Sequence, residues 1–327
     1  MKNILMILTG GTIACEETEN GLSPRKGREF FEKEIKTTAE GLNVEIKELM
    51  GIDSSDMDGI SWNMIARYVY DNCDMYDGMV ICHGTDTMAY TAAALSFMLL
   101  NINIPVVLTG AQRPLAREDS DGRRNLEIAF KAASSNMKGV FVVFYDKVIE
   151  GIHCVKTDTT KDDAFESINA ECAAVLKNGE LIVKNDYAEG ESIKFKVFEE
   201  KKILDVKLIP DMAEDILDFA LFAQCDGVII ECFGLGGMGF LYSKLPEKIK
   251  RLIEEDIPVI LCSQCLYGKS DFSVYEGGLN VLKTGALQGR KMTKEAIYAK
   301  LRFALSTGKG VEHVRKVFET NYLGELD

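Results

Sequence analysis

Apolar residues along this chain fall in short runs separated by amphipathic stretches. Asn3 to Leu8 is almost wholly aliphatic and reads as a buried strand. Val44 to Leu49 alternates apolar with charged residues, the pattern of a strand with one polar face. Ile60 to Tyr70 carries apolar residues at helical spacing. Gly78 to Cys82 is another apolar strand, Ala89 to Leu100 a strongly apolar helix, and Pro105 to Leu108 the next strand. A helix over Leu126 to Ala133, behind the cap candidate Asp121, and a strand over Gly139 to Tyr145 follow. Strands separated by helices of about 10–15 residues predict a mostly parallel sheet covered on both faces.

Between about Leu181 and Lys201 the pattern fails. Lys, Asn and Glu are frequent there, and Asp186 to Ser192 offers little to a core. The pattern returns with strand Val206–Ile209, helix Ala213–Ala223, strand Val228–Cys232, helix Leu245–Ile253 and strand Val259–Cys262. Two helices close the chain, Lys294–Ala304 and Val311–Glu319. The expected fold class is α/β, with two α/β domains and mostly parallel sheets. The larger, N-terminal catalytic domain spans 1–188, a linker 189–203, and the smaller C-terminal domain 204–327.

Composition narrows the partners. The 327 residues are 46% hydrophobic and 27% charged, a balance that supports two globular cores. A net charge of −13 argues against nucleic acid or an anionic membrane as a partner. The apolar run after Lys2 is too short for a signal h-region, and no run approaches the roughly 18 residues that cross a bilayer. Nine cysteines, an odd number scattered over a long chain, suit reduced thiols better than a disulfide framework. A cytoplasmic location is expected.

In open α/β sheets, sites form beyond the carboxyl ends of the strands. Three such ends are rich in Gly, Thr and Asp: Thr9-Gly10-Gly11-Thr12, His83-Gly84-Thr85-Asp86-Thr87 and Leu108-Thr109-Gly110-Ala111-Gln112. A fourth polar cluster, Asp53-Ser54-Ser55-Asp56, follows the Val44–Leu49 strand. Any one of these alone passes for an ordinary turn. If their strands are neighbours, all four converge on one cleft of hydroxyls, carboxylates and backbone N–H groups. Such a cleft suits a small zwitterion and acyl transfer by a hydroxyl nucleophile. The hydroxyl needs a base, and a lysine held neutral by burial or by neighbouring charge can serve.

Thr9-Gly10-Gly11-Thr12-Ile13-Ala14, with Cys82-His83-Gly84-Thr85-Asp86-Thr87-Met88, resembles the paired signature of bacterial-type L-asparaginases. Ile52 to Met57 resembles that family's substrate loop, and Val155-Lys156-Thr157 the segment that supplies its lysine. Met292 to Ala296 and Lys300-Leu301 resemble the end of the cytoplasmic, type I branch. The likeness covers essentially the whole chain. It implies an amidohydrolase that converts L-asparagine to L-aspartate and ammonia, with no metal or organic cofactor, as a homodimer or homotetramer. It implies Thr12 as nucleophile, Thr85 as second catalytic threonine and Lys156 as its proton partner. Asp86 would orient Lys156 and anchor the substrate α-ammonium. Ser54 would bind the α-carboxylate, with backbone help from Asp53 or Ser55. N–H groups near Thr12 and Thr85 would form an oxyanion hole, and the Ala111 carbonyl would face the leaving amide.

Two positions depart from the family pattern. Many members carry a tyrosine on the loop after the first threonine motif. Here the loop Cys15 to Arg28 has none, and Leu22 stands in its place. Ser273 to Gly278 resembles a C-terminal segment that supplies a tyrosine in some cytoplasmic members. Tyr275 is therefore either that activating group or an ordinary, partly buried tyrosine. Ser55 stands where secreted members usually have glutamine, which fits the cytoplasmic branch.

Other motifs carry less. Gly234 to Gly239 matches G-x-G-x-x-G, but the next strand ends in Ser263-Gln264-Cys265 rather than the acidic residue of a dinucleotide site. Cys262-x-x-Cys265 lacks a second pair for zinc. His83 reads as a structural residue beside Thr85. The competing readings are a mixed glutaminase–asparaginase, an amino-acid sensor weakened by the missing tyrosine, and the related ammonia-generating component of a tRNA-dependent amidotransferase. That component carries an extra N-terminal barrel, whereas this chain opens on its first strand.

Overall fold

Two units make up the computed structural model, Met1–Val197 and Phe198–Asp327. It describes all residues except 20, 25, 26, 186, 188–190, 240–242 and 327, and leaves out the side chains of 17 and 22–24. The expected end of the first domain at Ala188 and start of the linker at Glu189 therefore lie outside the described residues.

The first unit is built on an eight-stranded sheet. Its order is Glu180–Val183, Ala174–Lys177, Lys147–Glu150, Gly139–Phe144, Pro105–Thr109, Gly78–Cys82, Asn3–Gly10, Asn43–Ile52. The last five strands run parallel, and the first three join antiparallel. In Asn3–Gly10, Ile4 to Ile7 are all fully buried, so both faces are covered. This is why that run shows no alternation. Asn43–Ile52 is the edge strand, and only Ile46 of it is buried. Its alternation of apolar and charged residues records one covered face and one face open to water.

Several elements depart from the pattern reading. The apolar helix ends at Met98 rather than Leu100. Leu99 and Leu100 instead pair with Lys194–Phe195, inside the expected linker. The Phe195 ring stacks on Tyr70 at 4.6 Å, with the Arg67 guanidinium 4.6 Å from its centroid. A polar stretch with one well-placed aromatic thus becomes ordered. The helix expected from Leu126 begins at Gly122, with Asp121 at its N-cap position. The Asp121 side chain does not cap that helix, because its carboxylate accepts from Gln112 and Arg113 N–H groups. The helix Arg28–Thr38 and the three antiparallel strands carry no clear periodicity, being short or half-exposed.

The second unit holds a four-stranded parallel sheet, Ile203–Lys207, Gly227–Cys232, Val259–Ser263 and Leu287–Gln288. Helix Leu245–Glu254 turns Leu245, Ile249 and Leu252 onto the core. Helix Lys294–Thr307 starts where the Thr293 hydroxyl accepts from Ala296 N–H at 3.1 Å. No helix among the described residues is long and apolar enough to cross a membrane.

Among the described residues of this unit, one ion pair, Lys300–Glu325, is fully buried. Lys300 is 0% exposed, its ammonium donating to the Glu325 carboxylate and, at 2.8 Å, to Thr320 O. Burial draws the Lys300 pKa down, and Glu325 opposes that shift. Removing one partner strands the other without water. Glu325→Leu should cost about 3–5 kcal/mol in urea unfolding followed by circular dichroism. Lys300→Met with Glu325→Leu should recover part of that loss, since the Tyr322 and Leu323 N–H groups that Glu325 also accepts from stay unpaired, and a double variant no better than the single would refute the pairing argument.

Candidate active site

Three neighbouring strands, Asn3–Gly10, Gly78–Cys82 and Pro105–Thr109, end side by side. The loops beyond them touch through their backbones. Gly10 and Gly11 have φ of 111° and 79°, in the left-handed region that glycine tolerates. A Cβ on Gly11 would lie 2.3 Å from Gly84 N, and one on Gly84 would lie 2.6 Å from Ser54 Cβ. A Cβ on Gly110 would lie 2.5 Å from His83 O. Gly11 N–H donates to Ile52 O at 3.2 Å, and the Thr87 hydroxyl donates to Ser54 O at 2.7 Å. All four polar loops are therefore packed into one cluster, and Thr12 and Thr85 directly follow two glycines that abut.

Lys156 comes from a different part of the unit. It ends strand Cys154–Lys156, which pairs antiparallel with Phe165–Ser167. Its ammonium donates to Thr85 Oγ1 at 2.8 Å and to Asp86 Oδ1 at 2.7 Å. Thr85 is buried, while the Asp86 side chain is 69% exposed. The contacts run hydroxyl, amine, carboxylate, a line along which a proton can pass. The exposed side of Asp86 remains open to a cation from outside.

Other residues divide into engaged and free. Asp53 Oδ1 accepts from Ser55 N–H at 2.8 Å and from the Ser55 hydroxyl at 2.7 Å, which holds its carboxyl below the usual range. Between them Ser54 is buried. Among the described residues, the hydroxyls of Thr12 and Ser54 have no hydrogen-bond partner. Ala111 is fully buried at the end of the third loop. Tyr275 belongs to the second unit, where it precedes helix Glu276–Leu282 and is 59% exposed. The Leu22 side chain lies outside the described residues.

His83 lies at the centre of the support. Its Nδ1 is 2.7 Å from Gly84 O, a group that can only accept, so Nδ1 carries the proton. Nε2 then accepts from the Thr91 hydroxyl at 2.9 Å, and that hydroxyl accepts from Trp62 Nε1–H at 2.9 Å. Each donor meets one acceptor from Trp62 to Gly84. Asp121 and Asn125 give matching support to the Gly110–Arg113 loop. Pattern reading misses both sets, because Trp62, Thr91 and Asn125 sit on helices whose periodicity reports burial and not hydrogen bonding. No group of three or more His, Cys, Asp or Glu among the described residues could hold a metal. Gly236, in the G-x-G-x-x-G segment, has φ 137°, and a Cβ there would meet the Phe272 ring at 2.8 Å.

Likeness to known proteins runs the length of the chain. The family model "Asparaginase, N-terminal" matches residues 3–189, and "Glutaminase/Asparaginase C-terminal domain" matches 202–318. An L-asparaginase of Thermococcus kodakarensis is 35% identical, over 99% of this chain and 98% of that protein. A glutamyl-tRNA(Gln) amidotransferase subunit of Pyrococcus abyssi is 36% identical, over 100% of this chain and 77% of that protein. The solved structure of the thermostable L-asparaginase from Thermococcus kodakarensis is similar with a TM-score of 0.93 at 34% identity, covering 99% of each chain.

Burial pushes the His83 pKa down to about 4, from 6.5. Between those values the unfolded chain binds a proton that the folded chain does not, so stability falls as pH falls through that window. At pH 5 the loss is roughly 2 kcal/mol relative to pH 7. Trp62, the one tryptophan, reports on this unit in urea unfolding. His83→Gln should reduce the stability difference between pH 7 and pH 5 by about that amount. An unchanged difference would show that the His83 proton is not linked to folding.

Proposed function

The chain belongs to the asparaginase family of amidohydrolases, and from that premise we propose that it hydrolyses the side-chain amide of L-asparagine, giving L-aspartate and ammonia. The observation that carries this reading is Lys156, held 2.8 Å from Thr85 Oγ1 and 2.7 Å from Asp86 Oδ1 beside the Thr12 loop. In the proposed reaction the Thr12 hydroxyl attacks the amide carbon and loses its proton. Backbone N–H groups near Thr12 and Thr85 stabilise the oxyanion. The leaving nitrogen is protonated and departs as ammonia, which leaves a β-aspartyl ester on Thr12. Water, deprotonated through Thr85 and Lys156, then cleaves that ester.

Substrate binding is proposed on the same residues. Asp86, open on its outer side, takes the α-ammonium. The unengaged Ser54 hydroxyl takes the α-carboxylate, with the Asp53–Ser55 turn holding it in place. The Ala111 carbonyl accepts from the amide nitrogen. Tyr275 is proposed as the group that activates Thr12, and a homodimer or homotetramer in the cytoplasm as the working form. A second reading, an ammonia-generating component that acts with a partner protein, is favoured by the match of the whole chain to the amidotransferase relative.

Ammonia release separates these readings. Purified protein without a partner should release ammonia from L-asparagine and far less from L-glutamine across a wide concentration range. Comparable release from both substrates would make it a glutaminase–asparaginase, and release only with a partner would favour the amidotransferase reading. Thr12→Ala should lower kcat by at least about 10³-fold. Lys156→Met should lower it by about 10²–10⁴-fold with the fold retained. A Thr12→Ala variant at wild-type rate would remove the nucleophile assignment. Tyr275→Phe should lower kcat by about tenfold or more, and normal turnover in that variant would return Tyr275 to the status of an ordinary tyrosine.

A further inference from the structure

The Gly110–Arg113 loop is held by one buried clamp that no catalytic role accounts for. Asp121 and Asn125 lie one turn apart at the start of helix Gly122–Ala133, and they are 9% and 1% exposed. The Asp121 carboxylate accepts from Gln112 N–H at 2.9 and 3.1 Å and from Arg113 N–H at 3.0 Å. It also accepts from Asn125 Nδ2 at 3.1 Å. Asn125 Nδ2 donates in turn to Gly110 O at 3.0 Å, and Asn125 Oδ1 accepts from Tyr145 N–H at 3.0 Å. The helix comes in close enough that a Cβ on Gly122 would lie 3.2 Å from Ala111 Cβ.

The peptide between Ala111 and Gln112 is one planar unit. The described chain has no cis peptide, so its C=O and N–H point in opposite directions. A carboxylate that captures Gln112 N–H therefore aims the Ala111 carbonyl away from the helix. The same hydrogen bond polarises the amide and adds negative charge to the carbonyl oxygen. No described residue donates to the Ala111 carbonyl, although Ala111 is fully buried. A buried acceptor left without a partner calls for an explanation, and a ligand N–H supplies one.

We propose that Asp121, backed by Asn125, is a positioning residue that aims and strengthens the Ala111 carbonyl as the acceptor for the leaving nitrogen. The proposal rests on the amide-hydrolysis reading above. As the C–N bond breaks, the nitrogen gains a proton and positive charge, so its N–H groups become better donors. An acceptor tuned by Asp121 then acts more on the transition state than on bound substrate, and its loss falls on kcat rather than KM.

The leaving group offers the test. The β-methyl ester of L-aspartate gives the same acyl-enzyme, but its leaving group has no N–H to donate. Asp121→Asn keeps the volume and weakens the acceptor of Gln112 N–H. It should lower kcat on L-asparagine about tenfold, the rate equivalent of one ordinary hydrogen bond. KM should change little, and kcat on the ester should fall less than about threefold. Asn125→Ser, which frees Gly110 and Tyr145, should shift the amide-to-ester ratio the same way and covers the case of a misfolded Asp121 variant. Equal losses on amide and ester would reduce the clamp to a structural support and overturn the proposal, as would no loss on either. Wild-type protein that turns over neither substrate would instead fail the amide-hydrolysis reading itself.

Discussion

Everything in the candidate site depends on backbone meeting backbone at Gly11 and Gly84. A single methyl group on either would collide with main-chain or side-chain atoms of the facing loop. Main-chain atoms are the least able to yield, because moving them displaces the strands that carry them. The two strand ends approach this closely because Gly11 lacks a Cβ, and the Ser54 loop packs onto them because Gly84 lacks one. The residues that follow, Thr12 and Thr85, thereby sit on abutting loops, an approach that the missing Cβ atoms permit.

Hydrogen bonds then hold what the close approach permits. Three sets share the work: Trp62 to Thr91 to His83 to Gly84, Asp121 with Asn125 on the third loop, and Lys156 across Thr85 and Asp86. In the first set each buried donor meets an acceptor, so no polar group there bears an uncompensated desolvation cost. Against these engaged neighbours, the Thr12 and Ser54 hydroxyls and the Ala111 carbonyl have no partner among the described residues, and the outer side of Asp86 is exposed. A site keeps a few groups free by engaging those around them, and this division is the arrangement expected of a preorganised pocket.

The second unit follows the same physics without that crowding. Its parallel sheet and amphipathic helices arise from ordinary periodicity, and its most unusual feature is the buried Lys300–Glu325 pair. In its G-x-G-x-x-G segment, Gly236 is explained by packing on Phe272. The same letters serve ligand approach in one protein and ring packing in another, because both need only the absence of a Cβ.

The sequence by itself determined the α/β class, the central parallel strands and the amphipathic helices, because apolar periodicity is set residue by residue and survives without context. It also showed four polar strand ends and a set of hydroxyls and carboxylates of the kind that the proposed reaction needs. The antiparallel strands at the sheet edge were not legible because they are only four residues long and partly exposed, and the ordered Lys194–Phe195 segment was not because its partner, Leu99–Leu100, lies far away in the chain. Lys156 is 71 residues from Thr85 along the chain, and only the hairpin that carries it brings the two within 2.8 Å. Asp121 shows the limit most plainly. Local chemistry made it a helix cap, but tertiary packing put two loop N–H groups in reach of its carboxylate. A side chain satisfies the donors that the fold brings to it, and the sequence does not state which those are.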